Sequence, residues 1–327
     1  MIKTIKMSKI LITGSEGNIG PYIVEAIKKN FPSFQIIRIK HGCDNSEFNG
    51  EYYRGDLKSA VFLDKIFTEN NIDFVVHAAS KSYSHEGYYK NPFKVIENDS
   101  ALIINLLNHC HSIKKFIYIS SALIYEHAQK TPILEDDSLC IPGPTSSYGV
   151  AKQFGESAVK YFSEETGIPY TIWRPFNVVS PLEPHIGEGR HVFIDFFRKL
   201  IIEQASEFRV MGTGNQKRCF IWVQDFANCV AGNLVAKLSD NQVFNIARNE
   251  PISMIELKNL LLELGRSLEL IPYSYDPPTI AGNIFAGIEA EARIPSTSKA
   301  LNMLGWESST SVRECFNEFL KEKVKCL

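Results

Sequence analysis

Short apolar runs of strand length alternate with longer segments of helical period through the first half of this chain. The strand-like runs are residues 9–13, 34–39, 73–78, 115–120 and 170–173. The helix-like stretches between them are residues 19–30, 58–70, 92 to about 110, and 147–165. Strands that take turns with helices argue for a parallel sheet covered on both faces. The pattern changes after Arg174, where Pro175, Pro181, Pro184, Gly187 and Gly189 mark loop. Shorter elements follow at 192–203, 208–211, 220–236, 253–264, 298–304 and 311–323. The predicted fold is α/β: a Rossmann-type doubly wound parallel sheet with a smaller C-terminal α/β substrate-binding domain. The predicted division is residues 8–174 for the larger domain and residues 175–327 for the smaller one, with some later segments returning to the first sheet.

Composition narrows the function classes. A chain of 327 residues, 44% of them hydrophobic, is long enough for a real core. Its 35 basic and 37 acidic side chains give a net charge of -2, so no general attraction to nucleic acid or an anionic membrane is expected. No apolar stretch approaches the roughly 20 residues needed to span a bilayer. The lysines within residues 1–6 are not followed by a long apolar segment or a small-residue cleavage site, and a cytoplasmic protein is expected. The seven cysteines (Cys43, Cys110, Cys140, Cys219, Cys229, Cys315 and Cys326) contain no Cys-x-x-Cys pair and no zinc spacing with histidine. Reduced packing thiols and no metal are the expectation.

The chemistry begins at Gly14, Gly17 and Gly20, which follow a predicted strand and open a predicted helix. In that context the first glycine permits the turn, the second lets a pyrophosphate approach, and the third lets helix and strand pack closely. Asn18 and Ile19 complete the loop, and the helix start offers free N–H groups to phosphate. The second strand carries no acid for a ribose 2′-hydroxyl before Asp44. Arg38, Lys40 or His41 would suit the 2′-phosphate of NADP, while an exposed basic strand end would leave NAD held by other contacts. Both cofactors stay open. Asp56, followed by Leu57, is a candidate for the adenine amino group or a helix N-cap.

Tyr148 and Lys152 stand four residues apart, so a helix puts them on one face. An ammonium beside a phenol favours the phenolate, which makes Tyr148 a candidate acid/base whose ionisation Lys152 lowers. Ser121 lies upstream at the end of an apolar run.

At these residues the chain resembles an extended short-chain dehydrogenase/reductase of the nucleotide-sugar epimerase/dehydratase group. The resemblance runs from about Ser8 to Lys323. It is carried by the glycine loop, His77-Ala78-Ala79, Asn98, Ser120-Ser121-Ala122-Leu123-Ile124-Tyr125, the Tyr/Lys pair, Arg174-Pro175-Phe176-Asn177-Val178, the stretch from Arg218 to Asp225, and Leu304-Gly305-Trp306. It implies that Tyr148 is the acid/base, that Lys152 holds the nicotinamide ribose, that Ser121 bonds the reacting oxygen, and that Asn98 supports the site. It further implies cofactor contacts at Ala78 and Ala79, substrate contacts at Asn177 and Arg218, and a weaker diphosphate candidate at Arg293, where a surface salt bridge is the competing reading. His191-Val192-Phe193 is a candidate for backbone contacts to the base. A nucleotide-diphosphate sugar is the implied partner. A homodimer is implied as well, through a four-helix bundle of the helices containing residues 98–110 and 147–165.

The residues after Ser121 restrict the reaction. Dehydratases of this group carry Asp-Glu where this chain has Ala122-Leu123, decarboxylases place Glu and 3,5-epimerising synthases place Cys at the Leu123 position. Leu123 has no acid or base to offer. Chemistry at C4 remains: 4-epimerisation first, 4-ketoreduction or 4-oxidation second, with a silent cofactor-binding subunit as the remote alternative. Ser180 and Gln224 depart from the group's usual Gly and Asp.

Overall fold

The computed structural model describes residues 7–42, 52–80, 90–184, 191–282 and 291–325. Residues 1–6, Cys43, Asp44, Gly187, Gly189 and Cys326, each weighed above, lie outside the described residues.

Seven parallel strands form the central sheet: β1 (Lys9–Thr13), β2 (Gln35–Lys40), β3 (Tyr52–Arg54), β4 (Phe74–His77), β5 (Lys115–Ile119), β6 (Tyr170–Pro175) and β7 (Gln242–Ile246). Their spatial order is β3-β2-β1-β4-β5-β6-β7. The order reverses between β1 and β4, which pair with Ile10 opposite Phe74 and Thr13 opposite His77. In a doubly wound sheet, ligands bind beyond the carboxyl ends of the strands at such a reversal.

Alternation along the strands explains the two layers. On β1, Ile10 and Ile12 face one core and Leu11 the other. The first core takes in helices α1 (Gly20–Asn30), α5 (Val223–Gly232), α6 (Met254–Ser267) and α7 (Val312–Val324). The second takes in α2 (Ala60–Glu69), α3 (Pro92–Leu107) and α4 (Ser147–Thr166). Helices α3 and α4 lie against each other, as do α1 and α5. Phe193, Phe197, Phe316 and Phe319 pack edge to face within the first core, so the C-terminal segments share one apolar interior with β1 and α1.

Three features were not marked by the periodicity. Strand β7 is a later segment in the first sheet, parallel to β6 with Phe244 opposite Trp173. Its polar residues hid it: Asn245 is fully buried, receives a hydrogen bond from the Tyr125 hydroxyl at 2.8 Å and donates to the Ile133 carbonyl at 3.0 Å. Strand β3 is too short for a periodic signal. Residues 220–236 divide into a strand at Ile221–Trp222 and helix α5, and residues 192–203 into a short α-helix at Val192–Phe197 and a π-turn at Arg198–Ile202.

Candidate functional site

A cavity of about 920 Å³ opens at the reversal between β1 and β4. The glycine loop forms one wall, with Gly14, Gly17, Asn18, Ile19 and Gly20 all lining it. Gly14 has φ +70°, and a Cβ there would lie 2.6 Å from the backbone of Ala78. A Cβ on Gly20 would sit 2.0 Å from the Gly14 carbonyl oxygen. The loop is therefore closed tightly on itself and on β4, and only glycine fits. The start of α1 has no side-chain cap at Ile19, so its first-turn N–H groups are not taken by a capping side chain. That uncapped helix start on a cavity wall fits the pyrophosphate of a dinucleotide. Ser180, where the family has Gly, donates from Oγ to the Asn18 carbonyl at 2.6 Å and ties the loop after β6 to this cradle.

Next to the loop, Asp56, Leu57, Ala78 and Ala79 line the cavity. Asp56 is not the helix N-cap. Helix α2 begins at Ala60 with Ser59 as its cap, and the Asp56 carboxylate accepts from the Lys58 N–H at 2.9 Å. Arg38 and Lys40 are not on the wall: both pair with Glu16, which is, with Lys40 Nζ 3.4 Å from its carboxylate. A carboxylate on the wall that already engages both cations disfavours a 2′-phosphate there.

At the sheet's far end the cavity is lined by Asn98, Ser121, Leu123, Tyr148 and Lys152. Ser146 caps α4 by accepting from the Gly149 N–H at 3.3 Å, which starts the helix at Ser147, so Tyr148 stands in its first turn and Lys152 one turn later on the same face. Lys152 is buried, donates to the Ile119 carbonyl at 3.0 Å, and lies 5.4 Å from the Tyr148 ring centre. Ser121 Oγ accepts from the Leu123 N–H at 3.2 Å, capping the short 3₁₀ turn at Ala122–Tyr125, and it also hydrogen-bonds the Tyr148 hydroxyl. Sequence reasoning expected Lys152 to lower the ionisation of Tyr148. The phenol is instead pushed up, first by burial and then by the charge of Asp99, against hydrogen bonds from Ser80 and Ser121 that pull it down. Beneath the site, His77 stands 2.8 Å from Thr13 Oγ1; burial, with Lys152 nearby, lowers its imidazole to about 3 and keeps it neutral. Behind Ser121, Arg174 grips Glu156 through two nitrogens at 2.8 and 2.6 Å, and Ser120 donates to the same carboxylate at 2.6 Å.

The wall opposite the strands carries Asn177, Arg293, Glu183 and His191. Asn177 holds φ +44° and donates to the Cys219 carbonyl at 2.7 Å. Arg293 is buried on the cavity wall, which corrects the reading of it as a surface salt bridge. Arg218 pairs with Arg293 in neighbouring strands and is buried, but it is not part of the wall. Ser80, Asp99, Glu16, Glu183 and the side chain of His191 were missed by sequence reasoning. Asp99 adjoins the recognised Asn98, which was the only signal available for it. Among the described residues no group of three or more His, Cys, Asp or Glu is placed to hold a metal ion, and no helix is long and apolar enough to cross a membrane.

The profile of the NAD dependent epimerase/dehydratase family matches residues 10–247. A UDP-glucose 4-epimerase from Lactobacillus helveticus is 26% identical over 318 residues, covering 91% of this chain and 92% of its own length. A UDP-glucose 4-epimerase from Halalkalibacterium halodurans is 27% identical over 314 residues, covering 91% of this chain and 90% of its own. The fold matches a Thermotoga maritima UDP-glucose 4-epimerase solved with UDP-glucose at a TM-score of 0.83 and 24% identity, over 97% of this chain and 99% of the other.

Proposed function

The chain belongs to the NAD dependent epimerase/dehydratase family, and from that premise we propose that it is a nucleotide-sugar 4-epimerase acting on a UDP-hexose. The observation that carries this reading is the meeting of the Tyr148 and Ser121 hydroxyls beside buried Lys152 on the wall of the glycine-loop cavity. NAD, when bound, supplies a hydride acceptor for the sugar's C4 carbon. The glycine loop and the start of α1 would hold its pyrophosphate, Asp56 its adenine and Lys152 its nicotinamide ribose.

Removal of hydride from a carbinol carbon requires the O–H proton to leave as well. Tyr148 takes that proton and later returns it to the 4-keto sugar. Ser121 bonds the same oxygen in both half-reactions and keeps it within reach of the phenol. Leu123 lines the cavity where an acid would be needed to eliminate water, so the chemistry stays at C4. Rotation of the keto sugar between the two half-reactions would present its opposite face, so that the proton returned by Tyr148 completes the inverted carbinol. Asn177 and Arg293 form the substrate side of the wall, with Arg293 for the diphosphate and Arg218 beside it in the neighbouring strand. Residues 8–174 bind mainly the dinucleotide, and residues 175–327 bind mainly the sugar nucleotide. The Glu16 carboxylate between Arg38 and Lys40 favours NAD over NADP.

Two copies of the chain would associate in the cytoplasm through α3 and α4. These adjoining helices expose Phe93 and Ile104 on one and Phe154 and Tyr161 on the other.

Incubation of the pure enzyme with UDP-hexoses and no added cofactor tests the reaction. Many turnovers per enzyme are expected, because an epimerase recycles its NAD. A yield that stops at one product per bound cofactor would defeat the epimerase in favour of a 4-ketoreductase or 4-dehydrogenase. Tyr148→Phe is expected to reduce turnover by roughly 10²–10⁴-fold or more while cofactor still binds; unchanged turnover would remove Tyr148 from the mechanism.

A further inference from the structure

Strand β2 ends Arg38-Ile39-Lys40 and lacks the acid that the ribose hydroxyls of NAD call for. The fold brings a carboxylate there from another element. Strands β1 and β2 run side by side with Ile12 opposite Arg38, and Ser15 Oγ donates to the Ile39 carbonyl at 3.4 Å, so the glycine loop leans on the end of β2. Glu16, the next residue, lines the cavity, where one carboxylate oxygen pairs with Arg38 and the other lies 3.4 Å from Lys40 Nζ.

The place of Glu16 along the wall matches one part of a dinucleotide. On one side of it the loop continues into Gly17, Asn18 and Ile19, all on the wall. On the other, β3 runs beside β2 with Arg54 opposite Lys40, and the Gly55 N–H donates to the Lys40 carbonyl at 3.0 Å, which carries Asp56 to the same wall. A ribose joins the pyrophosphate assigned to the loop to the adenine assigned to Asp56, and Glu16 stands between those two positions. Other cations close by are Lys58, with Nζ 3.9 Å from the Asp56 carboxylate, and Arg54, whose guanidinium lies against Gly42. The strand end is rich in positive charge, and Glu16 is the group that occupies its two cations.

We propose that Glu16 is the residue that selects the cofactor: its carboxylate accepts from the adenosine ribose hydroxyls in place of the missing β2 acid, and by engaging Arg38 and Lys40 it closes a 2′-phosphate site that those cations would otherwise form. This rests on the reading of the cavity as a site for NAD. A second negative charge beside Glu16 is repelled, whereas a hydroxyl is a donor it can accept. Without the carboxylate, the forked donors of Arg38 and the Lys40 ammonium are left to a phosphate.

Equilibrium dialysis of the pure enzyme against equimolar NAD and NADP, followed by acid release and chromatography of the bound nucleotides, reads the preference without sugar or turnover. The parent is expected to take up mainly NAD. Glu16→Ala is expected to lower the bound NAD:NADP ratio by roughly tenfold to a hundredfold. Glu16→Gln, which keeps the size and removes the charge, is expected to move it the same way, and serves if Glu16→Ala does not fold. Adding Arg38→Met and Lys40→Met to Glu16→Ala is expected to erase the gain in NADP. A ratio that stays at the parent's value in both Glu16 variants would overturn the proposal, as would a gain in NADP that persists without the two cations. Uptake of mainly NADP by the parent would defeat the NAD assignment beneath it, and uptake of neither nucleotide would defeat the reading of the cavity itself.

Discussion

At the residue scale, His191 shows how one carboxylate can fix a cavity-facing ring. Glu183 is buried and accepts from both the His191 backbone N–H at 2.6 Å and the ring, whose Nδ1 is 2.7 Å away. The ring also stacks on Phe193. Burial pulls the imidazole down, but the charge and hydrogen bond of Glu183 outweigh it and leave it raised. A histidine whose folded value is raised contributes stability that is complete below its unfolded value, about pH 6.5, and is lost as pH rises through the folded one. The destabilisation caused by His191→Gln is therefore expected to be largest near about pH 5.5 and to shrink by about pH 9. Urea midpoints at the two pH values check this; a difference independent of pH would show that the His191 charge contributes nothing.

At the element scale, the active-site end of the sheet is held by a buried ion pair. Arg174 on β6 and Glu156 on α4 are both almost fully enclosed. The guanidinium also reaches the Tyr125 hydroxyl and the Glu135 carbonyl, so one side chain joins β6, α4 and the segment that follows Ser121. Glu156 would be left charged and buried if its partner were removed. Arg174→Met is expected to cost about 3–5 kcal/mol in urea unfolding, with much of that recovered when Glu156→Leu is added. A loss below about 1 kcal/mol would mean that water reaches Glu156 and the pair is not the brace. Tyr148 and Lys152 project from the first turns of the braced helix, so loosening the pair is also expected to lower turnover.

At the scale of the whole molecule, the exposed apolar side chains of α3 and α4 lie on the layer away from the C-terminal segments. Light scattering is expected to give twice the monomer mass, and Phe154→Glu with Tyr161→Glu is expected to give the monomer mass with the α/β circular dichroism unchanged. A parent protein that stays monomeric at working concentration would end the dimer proposal. The shared interior has a second consequence. Phe193, Phe316 and Phe319 pack in the same core as Ile10 and Ile23. The segments after Arg174 are thus packed into the layer that supports the glycine loop.

Periodicity and glycine spacing were enough to read the parallel sheet, the tight glycine turn and the Tyr148–Lys152 face, because these depend on local geometry: a strand that alternates, a turn that needs positive φ at Gly14, a helix that repeats every few residues. Strand β7 was not legible, since buried Asn245 reads as polar until Tyr125 and Ile133 supply its hydrogen bonds. Arg38 and Lys40 left NAD and NADP both open in the sequence, because Glu16, which pairs with both, is more than twenty residues away along the chain. The direction of the Tyr148 shift also reversed, because burial and then the charge of Asp99, neither visible in the Tyr-x-x-x-Lys spacing, outweigh the hydrogen bonds of Ser80 and Ser121 that lower it. Local pattern specified most of the elements and brought the glycine loop, Ser121, Tyr148 and Lys152 to one cavity; the electrostatics of those side chains were decided only where the folded chain brought distant carboxylates and hydroxyls together out of water.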